Sequence, residues 1–89
     1  MDGTGAMAKS LAGHDKGEVF VIIKEIGEYV FLVDGKLRPV EKPKRKNRKH
    51  IQIIHDDGEQ KRIKLIQDRE LTDEEIRKSI QCYKRESQI

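Results

Sequence analysis

Two glycines, Gly13 and Gly17, bracket three polar residues, His14-Asp15-Lys16, and directly behind them comes the most apolar run in the chain, Val19 to Ile23. Gly13 and Gly17 take φ > 0 without a Cβ clash, so five residues can turn the backbone sharply into a strand. Asp15 is placed to accept hydrogen bonds from turn amides, while Lys16 points at solvent. The run behind is rich in β-branched residues, so Glu18 to Glu25 reads as a strand. Alternation puts Val19, Val21 and Ile23 on one face and Phe20 and Ile22 on the other. Both faces are apolar and each needs its own cover.

The rest of the chain supplies neighbours for that strand. Residues 1–5 read as a loose, Gly-rich N-terminus, and residues 6–10 as a short first strand with Met7 inward. Ile26-Gly27 marks a turn, Tyr29 to Val33 a returning antiparallel strand, and Asp34-Gly35 a two-residue hairpin. Lys36 to Arg38 then begins a fourth strand, which Pro39 limits to an edge or an end. Pro43 and like-charge repulsion keep Lys42–Lys49 extended rather than helical. Strand character resumes over His50 to Ile54. Five short strands joined by a tight loop and two hairpins fit a small SH3-like barrel over residues 6–55 better than a sandwich, which needs more strands.

Asp56-Asp57-Gly58 closes that unit, and residues 56–71 read as a linker; within it Gln60–Gln67 fits either a strand (Ile63, Leu65) or, by a slight preference, a helical turn (Ile63, Ile66). Thr72 and Glu75 form a capping box, with Leu71 and Ile76 as its hydrophobic staple. Asp73, Glu74 and Glu75 in the first turn, and Lys84 and Arg85 in the last, suit the helix dipole. Over residues 72–85, Ile76, Ile80 and Tyr83 make one apolar stripe. That stripe is the natural cover for the second face of the Val19–Ile23 strand. The expected fold is mainly β, a five-stranded barrel with a C-terminal α-helix packed on it.

Composition bounds the function. In 89 residues, with 39% charged and 35% hydrophobic, there is one small core. No run approaches the ~18 apolar residues of a membrane span, and no basic-then-apolar leader precedes the first strand. A single cysteine, Cys82, excludes an internal disulfide and points to the cytoplasm. The net charge of +3 is unevenly spread. Lys36 to His50 holds eight Lys/Arg against the one acid Glu41, a local charge of +7. Six of the eight (Lys42, Lys44, Arg45, Lys46, Arg48, Lys49) are packed into eight residues. Such a run concentrates positive potential where a phosphate backbone can lie. If about six phosphates are neutralised, log K falls against log salt with a slope of about −4 on single strands.

The order of these segments resembles a known family. Ser10-Leu11-Ala12-Gly13-His14-Asp15-Lys16-Gly17 resembles the KOW motif of ribosomal and transcription-elongation proteins. The closer likeness is to the KOW proteins of the archaeal and eukaryotic large ribosomal subunit and their small bacterial relatives in Firmicutes. In those, an Ala-Gly-x-Asp-Lys-Gly loop precedes an Asp-Gly-Lys hairpin and a Lys-Pro-Lys-x-Lys-Asn-x-Lys-His segment. This chain carries Asp34-Gly35-Lys36 and then Lys42-Pro43-Lys44-Arg45-Lys46-Asn47-Arg48-Lys49-His50. Many KOW motifs have a further glycine where this chain has Phe20, a departure that favours the archaeal/eukaryotic-like subgroup. The resemblance covers residues 6 to 54 and implies an SH3-like barrel that binds RNA; a place on the ribosome is a separate question, and the expected function is RNA binding on or near ribosomal RNA.

The residues expected to contact RNA are therefore Lys36, Arg38, Lys42, Lys44, Arg45, Lys46, Arg48, Lys49 and His50, with His14 and Lys16 as a second edge. Gly13, Asp15 and Gly17 set the loop. With Phe20 and Phe31 read as core, readout leans on phosphates, shape and 2′-hydroxyls. Two rival readings are a protein–protein adaptor using the barrel and the charged helix, and an architectural DNA-binding protein. His14, His50, His55 and Cys82 show no zinc-ligand spacing beyond the isolated His50/His55 pair, and structural zinc usually has four ligands. His14 and Asp15 have no nucleophile beside them, so neither an enzyme nor a cofactor or small-molecule substrate is expected.

Overall fold

The computed structural model describes residues 4–55 and 72–86. Five strands and one helix follow in order: β1 Met7–Ser10, β2 Val19–Ile26, β3 Tyr29–Val33, β4 Lys44–Asn47, β5 Ile51–His55 and α1 Asp73–Glu86. A 3-10 turn over Arg48–His50 links β4 to β5. The strands form one antiparallel sheet in the order β4-β3-β2-β1-β5, and its ladder does not close. No helix among the described residues is long and apolar enough to cross a membrane.

The connection between β4 and β5 fixes the shape of that sheet. These are its two edges, which in a flat five-stranded sheet lie about 19 Å apart. Asn47 and Ile51 are four Cα steps apart along the chain. Four residues reach at most about 14 Å fully extended, and less in a 3-10 turn. The sheet therefore curls until its edges approach at that end. Register shifts at Ile22/Lys24 and Met7/Ala8 mark irregularities that bend strands in this way.

Curling gives the sheet an inside and an outside, and the alternation of β2 and β3 fills both. Ala8, Phe20, Ile22, Val30 and Leu32 are buried together, with Ile51 against them. On the other face Met7, Val19, Val21 and Val33 pack with Ile76 and Ile80 of α1, and Tyr83 joins them. The helix thus covers the outer face of β2, with Ile76 wholly buried. Its start is capped as the sequence implies: Glu75 N donates to Thr72 Oγ1 at 3.1 Å. The proposed staple partner Leu71, the linker and the 60–67 segment lie outside the described residues.

Three features differ from the sequence reading. Thr4 and Gly5 are not loose: both are buried, and Gly5 N donates to Ile22 O at 2.7 Å. Lys36–Arg38 forms no strand, and Asp34-Gly35 no hairpin. Instead the Asp34 carboxylate accepts from Lys36 N (2.8 Å) and Arg38 N (2.9 Å), closing the segment into a local loop. The fourth strand comes later, as Lys44–Asn47 inside the basic run, paired to β3.

The reason Gly35 is glycine lies in the helix. At φ +79, a Cβ there would meet Asp73 O at 2.5 Å and Arg77 Cγ at 2.8 Å. Arg77 Nη1 donates to Gly35 O at 2.6 Å, and Val40 N to Asp73 Oδ1 at 2.8 Å. The first turn of α1 thus sits directly on this loop. Gly35→Ala is expected to lower stability by about 3 kcal/mol, of which left-handed backbone alone accounts for about 1–2. Urea denaturation checks it; a loss below about 1 kcal/mol would mean that the helix shifts freely.

Candidate nucleic-acid interface

The glycine loop is built around one buried carboxylate. Gly13 and Gly17 take φ of +86° and +89° as the sequence requires. Ser10 O accepts from Gly17 N (2.8 Å) and Ser10 N donates to Glu18 O (3.0 Å), so the loop closes across the ends of β1 and β2. Within it, Asp15 is turned inward, its side chain 13% exposed.

What holds Asp15 comes from the far edge of the sheet. Lys46 Nζ, 9% exposed, donates to Asp15 Oδ1 (2.5 Å), Ser10 Oγ (2.6 Å) and Ala12 O (2.7 Å). An ammonium has three protons, and all three are used. Ser10, 1% exposed, keeps its hydroxyl 2.7 Å from Asp15 Oδ1. Lys44 Nζ lies 2.6 Å from Asp15 Oδ2 as an ion pair, without the direction of a hydrogen bond. Burial alone would raise the Asp15 pKa. The two ammonium groups of Lys44 and Lys46 and the Ser10 hydroxyl outweigh it and hold the carboxyl well below the usual carboxylate range.

The basic run is accordingly divided by strand alternation. Lys44 and Lys46 face the glycine loop. Arg45 projects to the opposite face, where its guanidinium lies 4.7 Å from the centre of the Tyr29 ring. Arg48 Nη2 donates to Gly27 O at 3.0 Å and lies 3.5 Å from Glu25. Its backbone N–H reaches Glu28 O, which fixes the 3-10 turn against the β2–β3 turn. Asn47 Oδ1 caps that turn by accepting from Lys49 N. Lys49 and His50 are exposed, and His50 O accepts from Leu11 N. His14 and Lys16 are exposed on the loop.

The remaining cations lie around this edge. Lys42 is exposed on the turn before β4, its N–H donating to Pro39 O. Arg38 and His14 share an open pocket with Lys44 and Asp15. Lys36 lies apart from them, in a cleft with Arg77 and Lys84 of α1. The structure therefore brings His14, Arg38, Lys44 and Lys46 to the glycine loop, and sends Arg45, Arg48 and Lys36 elsewhere.

Sequence reasoning missed two things here. Asp15 is not a cap for turn amides but the counter-charge of Lys44 and Lys46, 31 residues from Lys46. Phe31 is not core; it is half-buried on the outer face, beside exposed Tyr29. The alternation of Tyr29 and Phe31 against Val30 and Leu32 carried that signal. Among the described residues no cluster of three His, Cys, Asp or Glu could hold a metal ion. No family model matches this chain, and no curated protein matches it.

Proposed function

We propose that this chain is an RNA-binding module, its curled sheet an SH3-like barrel of the KOW kind, acting in the cytoplasm on or near ribosomal RNA. One observation carries the reading. The basic run is not a solvated tail but a rigid edge, β4 plus its 3-10 turn, clamped to the glycine loop by Asp15. Cations held on a fixed frame meet a phosphate backbone without the entropy cost of ordering a loose tail. The motif order noted above selects RNA over DNA.

Because Lys46 is consumed inside the fold and Lys44 is ion-paired, fewer cations reach solvent than the sequence count suggests. Lys16, Lys42, Arg45 and Lys49 remain exposed and form no ion pair among the described residues, while Arg48 lies 3.5 Å from Glu25. With about four phosphates neutralised, log K should fall against log salt with a slope of about −3 on single-stranded RNA, shallower than the −4 of six contacts. Fluorescence anisotropy across a salt series measures this directly. Absence of binding at about 50 mM salt overturns the proposal.

A further inference from the structure

Among the described residues, the outer face of the sheet is only partly covered. At one end α1 lies over Val19, Val21 and Val33. At the other, cross-strand register places two rows side by side on the same face: Lys24, Phe31 and Arg45, then Ile26, Tyr29 and Asn47. None of these six is buried. Tyr29 is 38% exposed and Ile26 52%.

Its chemistry is specific. Tyr29 and Phe31 stand two residues apart on one strand, so their rings lie about 7 Å apart along it. The Arg45 guanidinium lies over the Tyr29 ring, and both side chains belong to exposed residues that another planar group can reach. Lys24 and Arg45 flank the aromatics and match a negatively charged backbone. Planar rings between cations fit one occupant: an unpaired nucleobase with its phosphates on either side. A duplex, whose bases are stacked inside, has no face to offer.

We propose that Tyr29, Phe31 and Arg45 form a stacking platform for an unpaired RNA base, adding single-strand preference to the phosphate contacts of β4. The inference rests on the RNA reading above and deepens it. Arg45 thereby has two tasks, pairing with phosphate and stacking under the base.

Two RNAs with ten internucleotide phosphates each test it at fixed salt, an eleven-nucleotide single strand and a six-base-pair duplex. Tyr29→Leu keeps apolar bulk and charge but removes the ring. It should weaken single-strand binding at least about fivefold, the low end of one lost base stack. Duplex binding and the salt slope should be unchanged, and Tyr29→Phe should restore single-strand affinity. Quenching of 2-aminopurine placed in the single strand should disappear in Tyr29→Leu. Equal single-strand affinity in wild type and Tyr29→Leu overturns the platform, as does a parallel loss on both RNAs. A face that docks a protein instead would give the first of these results. If wild type binds neither RNA, the RNA reading fails and the platform with it. If it binds both and Tyr29→Leu changes neither, only the platform fails.

Discussion

Asp15→Ala is expected to cost about 3 kcal/mol of folding stability, a fall of about 15 °C in melting temperature for a domain of this size. The substitution leaves the Lys46 ammonium buried with Ser10 Oγ and Ala12 O but no counter-charge. Removing one partner of a buried pair costs several kcal/mol because the survivor stays desolvated. An exposed pair would cost under about 1 kcal/mol, and side-chain exposures of 9% and 13% put this one in the first class. The double variant Asp15→Ala/Lys46→Met removes both charges and should recover most of the loss. Urea titrations of all four proteins close the cycle. A single-variant loss below about 1 kcal/mol would mean the clamp is solvated.

The same carboxylate sets an acid limit. The folded pKa of Asp15 lies below its unfolded value of about 3.9. Between those two values the unfolded chain binds the extra proton, so stability falls as pH drops through that window. Above about pH 4 the contribution is fully present. The gap between wild type and Asp15→Asn should therefore be constant from neutral pH to about 4, then narrow on further acidification. A gap that narrows near pH 6 would assign the effect to another group.

What could be read from the sequence was local, and what could not was a matter of distant partners. The two faces of Val19–Ile23 follow from period-two alternation, and the start of α1 from Thr72 and Glu75, three residues apart. Asp34-Gly35 carried a true signal, a glycine with positive φ, but its cause was the approach of Asp73 and Arg77. Nothing within a hairpin-length window shows that. Likewise Lys44–Asn47 hid a strand under like charge. Its alternation becomes visible only once Asp15, across the fold, draws Lys44 and Lys46 to one side. A basic run read alone overstates the cations offered to solvent.

That division separates affinity from stability, and the separation is measurable. Lys16, Lys42 and Lys49 sit on the glycine loop, the turn entering β4 and the turn leaving it, all exposed. Among the described residues none of them forms an ion pair. Reversing all three to Glu should leave melting within a few degrees, since exposed substitutions cost about 0.5 kcal/mol or less. On single-stranded RNA each neutralised phosphate contributes a factor of about 5 at 0.1 M salt, so losing three costs about 100-fold. The salt slope should collapse at the same time. Lys46→Met should do the reverse, lowering stability while the folded fraction keeps both affinity and slope. If the triple reversal weakens binding less than about threefold, the phosphates lie elsewhere. If Lys46→Met instead flattens the slope, its ammonium leaves Asp15 for the nucleic acid, and the clamp is a resting state rather than a fixed part of the frame.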